Sequence, residues 1–314
     1  MSDRTNSSRR AAIVSPPDRL TSRMTVDEAI AGVLTQNQAE LVAAMRAALD
    51  RPMPETVHEL RTALQSLHAA LALSARWADS EALTEILRDA RALSDALGET
   101  RHWDILIAET LARHIDTLAD IADVAVLTEG AAVARQEGYR RVRLLLDGPL
   151  PQKLLLGLAF IVSQQRWRDE GGRTSKRLAG DVRVRAKREV ARLDKRLLDR
   201  GKRLRRLPDE TRHALAVEVK HLRDTIELLQ SIWPRPARIR RYRDRVQALQ
   251  SALDGLDDAR TTQLLLNRIA SDDPSPLVQR AVGAIGGWVA RDKIDRLSAL
   301  DELWREFRSA KRFW

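Results

Sequence analysis

Two segments of this 314-residue chain read as near copies, His58 of the first returning as His213 of the second, 155 positions on. The first is Val57-His58-Glu59-Leu60-Arg61-Thr62-Ala63-Leu64-Gln65-Ser66-Leu67-His68, and the second is Arg212-His213-Ala214-Leu215-Ala216-Val217-Glu218-Val219-Lys220-His221-Leu222-Arg223. Residues three and four apart share a face of an α-helix. Val57, Leu60, Leu64, Leu67 and Leu71 therefore form one apolar seam, with His58, Arg61, Gln65 and His68 in a stripe beside it. In the second copy Leu215, Val219, Leu222, Ile226 and Leu229 make the seam, and His213, Ala216, Lys220 and Arg223 make the stripe. A seam alone is enough to pack a helix, so the stripe carries separate information. Neither copy of it contains a carboxylate, and each of its groups that can charge becomes positive, which points to an anionic partner.

The rest of the chain supports a helical duplication. Ala, Leu, Arg and Glu dominate from Val26 onward and β-branched alternation is nearly absent, which predicts an all-α protein. Helix breaks are expected at Arg51-Pro52-Met53-Pro54, near Gly98, at Asp147-Gly148-Pro149, at Gly171-Gly172, at Leu207-Pro208, at Trp233-Pro234-Arg235-Pro236, near Gly255 and at Asp272 to Pro276. The turn after the first stripe, Ala96-Leu97-Gly98, has a counterpart after the second, Ala252-Leu253-Asp254-Gly255-Leu256-Asp257-Asp258-Ala259, at an offset of 156 between Ala96 and Ala252. The expected architecture is a tandem of pseudo-symmetric four-helix bundles, 24–165 and 183–314, joined by a linker at 166–182 and preceded by a disordered Ser-, Arg- and Pro-rich tail at 1–23.

Charge and composition narrow the function. Between Arg166 and Arg206 there are 17 Arg or Lys against 6 Asp or Glu, more than the whole formal charge of +10. Such concentration suits a surface for a polyanion. The chain has no cysteine, which removes thiolate catalysis and cysteine-based metal sites. His58-Glu59-Leu60-Arg61-Thr62 lacks the second histidine of a zinc helix, and no metal or cofactor is expected. No glycine-rich phosphate loop, nucleophile elbow or paired-carboxylate constellation stands out, so the expectation is a protein that does no chemistry. The longest apolar run, Leu154 to Val162, has nine residues, against about 20 for a membrane span, so no membrane partner is expected. A cytoplasmic location follows by default.

With these motifs in hand, the chain resembles the CHAD family, the conserved histidine α-helical domain. The residues that carry the likeness are Val57-His58-Glu59-Leu60-Arg61, then Leu97-Gly98-Glu99-Thr100-Arg101-His102-Trp103-Asp104, Asp199-Arg200-Gly201-Lys202-Arg203-Leu204, Arg212-His213, Lys220-His221-Leu222-Arg223 and Asp257-Asp258-Ala259, over about Val26 to Arg268. The resemblance implies two four-helix bundles with basic residues lining a central cavity that binds inorganic polyphosphate without catalysis. Some relatives are fused to a triphosphate-processing domain, whose strand-rich pattern does not appear ahead of Val26. The chain departs from the family where further cations are usual: Gln65, Ser66, His68 and Ala216 stand there, His102 replaces an Asp, and Asp224 replaces a Tyr.

The candidate polyphosphate contacts are His58, Arg61, His213, Lys220 and Arg223 in the stripes, with Arg196, Arg200 and Arg203 in the basic segment that follows Arg183. Guanidinium forks onto two phosphate oxygens, ammonium acts as a point charge, and imidazole can donate, accept or charge near neutral pH. The plainer reading of the same residues is a solvated face with local ion pairs, and of the histidines a tie to a backbone carbonyl. The rival functions are a granule-associated helical adaptor meeting an acidic protein partner, with polyphosphate granules as the location, and a nucleic-acid binder. The second is disfavoured because aromatic residues make up 4% of the chain and base stacking contributes much of single-strand binding.

Overall fold

The computed structural model describes residues 20–168, 172–202 and 204–314. The helices in chain order are α1 (Val26–Asp50), α2 (Pro54–Ala78), α3 (Glu81–Ala96), α4 (Gly98–Ile105), a π-helical stretch (Leu106–Leu111), α5 (Ala112–His114), α6 (Ala125–Leu146), α7 (Pro149–Gln164), α8 (Gly172–Leu178), α9 (Val182–Arg200), α10 (Asp209–Leu229), α11 (Pro236–Asp272) and α12 (Pro276–Ser309). The protein is all-α, and no strand occurs among the described residues. Helix starts follow the local chemistry. Thr25 and Glu28 form a reciprocal capping box on α1, the Asp181 carboxylate accepts from the Arg183 amide at 2.7 Å on α9, and proline occupies the first turn of α2, α7, α11 and α12.

The duplication is visible in three dimensions. Consecutive packing of α1, α2 and α3 is matched by α9, α10 and α11, and α2 packs on α10. Thr25 and Asp181, which cap α1 and α9, meet in a lone antiparallel bridge, with the Val26 amide donating to Gly180 at 2.9 Å and the Val182 amide to Met24 at 3.1 Å. These two positions stand 156 apart in the sequence, the offset of the paired turns. Both seams are buried: Leu60, Leu64, Leu67 and Leu71 in α2, and Val219, Leu222, Ile226 and Leu229 in α10, each have 0% exposure. Burying one such side chain contributes about 1.5–3 kcal/mol, so the seams, not the stripes, hold these helices in place.

The buried residues form two clusters, and neither follows the boundary between 24–165 and 183–314. The larger gathers α1, α2, α3, α7, α9, α10, the first part of α11 and the end of α12. The smaller packs Trp103, Leu106, Leu111, Leu127 and Ala131 against Leu266, Ile269, Ala281 and Ile285 of α11 and α12. The joining segment 166–182 contributes to the larger cluster through Trp167 and Leu178, and the Trp167 indole N–H donates to Asp27 at 2.8 Å.

Several local expectations change. Leu20, grouped with the tail, is buried, and its carbonyl accepts from the Ser231 hydroxyl at 2.8 Å. No break occurs near Gly255: α11 continues through it for 37 residues, so Asp257-Asp258 lies within a helix and not in a turn. Gly255 faces α12, where a Cβ would meet the end of the flexible Arg296 side chain. Glycine there permits a close helix approach without ending the helix. Among the described residues no single helix is long and apolar enough to cross a membrane.

Candidate functional site

The packing of α2 on α10 brings Lys220 of the second stripe near Arg61 and His68 of the first. Arg61 is half-buried and its Nη1 reaches the Ser94 carbonyl at the end of α3 at 3.5 Å. Burial lowers its pKa, the nearby Arg101 lowers it further, and Asp95 opposes both. Lys220, across the interface on α10, is also half-buried, and its pKa falls for the same first reason, with Arg223 and Arg61 as repelling neighbours and Asp224 and Asp254 as attracting ones. His68 is depressed by burial, then by Arg91 and Lys220. Burial and then Arg61 likewise lower His102, against Glu99. Arg61 acts on Lys220 less than Asp224, Arg223 and Asp254 do, and neither Arg61 nor Lys220 has an ion-pair partner among the described residues. A bound anion favours the charged form of both.

The other candidates are placed differently. The His213 Nδ1 lies 2.8 Å from an Asp257 carboxylate oxygen. Arg223 donates twice to the Asp224 Oδ1, at 3.0 and 2.6 Å, with both side chains largely buried. Arg196 donates to Glu218 at 2.8 Å, and Arg200 meets the same carboxylate oxygen. These two therefore tie α9 to α10, while the buried Glu189 of α9 pairs with Arg192 of its own helix and with Arg76 of α2. His58 is exposed and lines a shallow depression of about 600 Å³ with Glu40 and Glu59. Arg203 lies outside the described residues. Among the described residues the cations of α9 without a carboxylate contact are Arg183, Lys187, Arg188 and Lys195, on its solvent face, and the half-buried Arg185, which donates to the Arg76 carbonyl at 3.3 Å.

Acidic groups of α11 flank the meeting point of the stripes. Burial, then Asp254, Glu109 and Asp257, raise the Asp258 carboxyl to about 6, against the pull of Arg296. Asp254 is raised too, by burial first, although it accepts from Gln250 at 3.0 Å and feels Lys220. Asp104, of the Leu97 to Asp104 motif, is buried, accepts from Arg135 at 2.6 Å and from the Tyr139 hydroxyl at 2.9 Å, and so anchors α6 on α4. Among the described residues no group of three or more His, Asp or Glu could hold a metal ion.

The stripe pattern did not reveal Arg91 and Arg101, which come from α3 and α4 and reach the stripe only through the fold. It also passed over Arg240 and Arg243 of α11. Their signal was available in the run Arg238-Ile239-Arg240-Arg241-Tyr242-Arg243-Asp244-Arg245, which is as dense in arginine as the segment that drew attention.

Known proteins were compared with this arrangement. A family model described as the CHAD domain matches residues 28–267. The crystal structure of the CHAD domain from the plant Ricinus communis is similar over 94% of this chain and 95% of that one, with a TM-score of 0.78 and 23% identity. PptA from Streptomyces chartreusis is similar over 90% of this chain and 99% of its own, with a TM-score of 0.67 and 16% identity. No curated protein matches the chain.

Proposed function

This chain belongs to the CHAD domain family, and from that premise we propose that it binds inorganic polyphosphate, without catalysis, where the stripes of its two helical units meet. The observation that carries the reading is the nearness of Arg61 and Lys220 across the α2–α10 interface, two half-buried cations that make no ion pair among the described residues. Holding unpaired cations at partial burial is unfavourable unless an anion joins them. His68, near Lys220, and His102, near Arg61, supply hydrogen bonds, and His58 stands exposed at the start of the first stripe. The exposed cations of α9 add a field of one sign that speeds encounter with a polymer.

Polyphosphate is favoured over single-stranded nucleic acid because Trp77, Trp103, Trp167, Trp233 and Trp304, five of the seven tryptophans, are buried and offer no platform for bases. An acidic protein partner is the remaining alternative, and salt separates the two. Each neutralised phosphate of a flexible polyanion contributes about −0.7 to the slope of log affinity against log salt.

The test is titration of polyphosphate of defined length into the wild type and into an Arg61→Ala, Lys220→Ala double variant at two salt concentrations. The variant should lose at least about tenfold in affinity, and its salt slope should shrink by about 1.4, two phosphate contacts' worth. It should stay as helical as the wild type. Unchanged affinity in a folded variant rules out this site, and equal displacement by RNA of the same charge removes the preference for polyphosphate.

A further inference from the structure

A groove of about 820 Å³ lies among α1, α2, α10 and the start of α11. It borders the stripes through Gln65, Ser66 and Arg223, but its chemistry is unlike theirs. Its charged lining is Arg223, Arg240 and Arg243 against Glu40, Asp224 and Glu227, formally neutral. A polymer of like charges gains little from such a wall, whereas a compact ligand with one anionic head and several donors matches it. The volume falls within the ~300–1,000 Å³ typical of small-molecule sites.

The cations are not equivalent. Arg223 is held by Asp224, while Arg240 and Arg243, one helical turn apart on the same face of α11, have no carboxylate contact among the described residues. Together they offer two guanidinium forks and two unbalanced positive charges, which match a phosphate monoester carrying about −1.5 to −2. The opposite wall offers acceptors. Asn37 is 4% exposed and lines the groove, and its Nδ2 donates to the Val33 carbonyl at 2.8 Å, leaving its Oδ1 buried without a partner. A buried acceptor left unmatched is unfavourable, and a ligand hydroxyl corrects it. Glu227 and Glu40 accept further hydroxyls, and Val33, Ile239 and Trp233 give an apolar wall for a carbon skeleton.

We propose that this groove is a separate binding site for a phosphorylated polyol of sugar-phosphate size, with the phosphate on Arg240 and Arg243 and hydroxyls on Asn37 and Glu227. The site borders the stripes, but its phosphate contacts, Arg240 and Arg243, are not among the proposed polyphosphate contacts, so either can fail alone.

Calorimetric titration of the full chain with glucose 6-phosphate, inorganic phosphate and glucose tests it. Glucose 6-phosphate should bind several-fold more tightly than inorganic phosphate, and glucose should give no heat. An Arg240→Ala, Arg243→Ala variant should lose about tenfold or more, given the strength of charge-assisted pairs. An Arg235→Ala, Arg238→Ala variant, which removes two exposed charges from the same helix end outside the groove, should lose less than about twofold by screening alone. The proposal is overturned by silence with glucose 6-phosphate at millimolar concentration, by equal loss in both variants, or by phosphate binding as tightly as the sugar phosphate. Polyphosphate titrated into the groove variant should keep its affinity. A loss matching that of Arg61→Ala, Lys220→Ala would merge the groove with the polymer site and also overturn the proposal.

Discussion

The stripes of α2 and α10 descend from one sequence pattern, yet they sit in different electrostatic surroundings. In α2, His58 is exposed and Arg61 donates to a backbone carbonyl with no carboxylate contact among the described residues. In α10, His213 is met by Asp257 and Arg223 by Asp224. The carboxylates come from α10 itself and from α11, whose acidic turn-like motif became a helical face. Duplicating a helix copies its own side chains but not those of its neighbours. Charge is a property of the assembled environment, while the apolar seam is a property of the helix alone.

That contrast can be broken first at the seams. Leu64→Ala and Leu222→Ala should each cost about 2–5 kcal/mol of stability, by nearly equal amounts, as read in chemical denaturation. A large inequality would mean that the two helices are not packed alike.

Function should then separate them. Arg61→Ala alone should weaken polyphosphate binding more than Arg223→Ala, because the second guanidinium is already engaged by a carboxylate. Equal losses would erase the distinction between a free stripe and a balanced one. Asp257→Asn, which removes the carboxylate from His213, should raise affinity by about two- to threefold at low salt, as expected of a single partly screened charge.

The smallest effect concerns pH. A carboxyl whose folded pKa lies above its unfolded value contributes stability that is complete below the unfolded pKa and is lost as pH rises through the folded one. For Asp258 that window runs from about 4 to about 6. Asp258→Asn should therefore raise the melting temperature slightly at pH 7 and leave it unchanged at pH 4, with a gain under about 1 kcal/mol because the side chain reaches solvent. Protonation of the wild-type group also removes a negative charge beside the stripes, so part of the rise in polyphosphate affinity between pH 7 and 5 should vanish in the variant.

Much of this was legible beforehand. Seam spacing predicted α2 and α10 and their buried residues, and Pro-rich breaks marked the starts of α2, α7, α11 and α12, because these depend on local geometry. Gly255 misled, since a glycine inside a helix that faces a neighbouring helix looks the same in sequence as one demanded by a turn. The pairing of Arg196 and Arg200 with Glu218 was hidden for a related reason. A run of charge reads as a single field until the fold brings a carboxylate from another helix against it. Arg91 and Arg101 reach the stripe from separate helices, and only tertiary packing places them there.

The continuity of α11 has a mechanical consequence. Its 37 residues span about 55 Å, at 1.5 Å per residue, with Ile239, Val246 and Leu249 in the larger cluster and Leu266 and Ile269 in the smaller. One rigid rod is thereby threaded through both, so neither can melt without unseating part of the other. Heat should therefore undo the molecule in one cooperative step, and amide exchange along the rod should slow together from end to end.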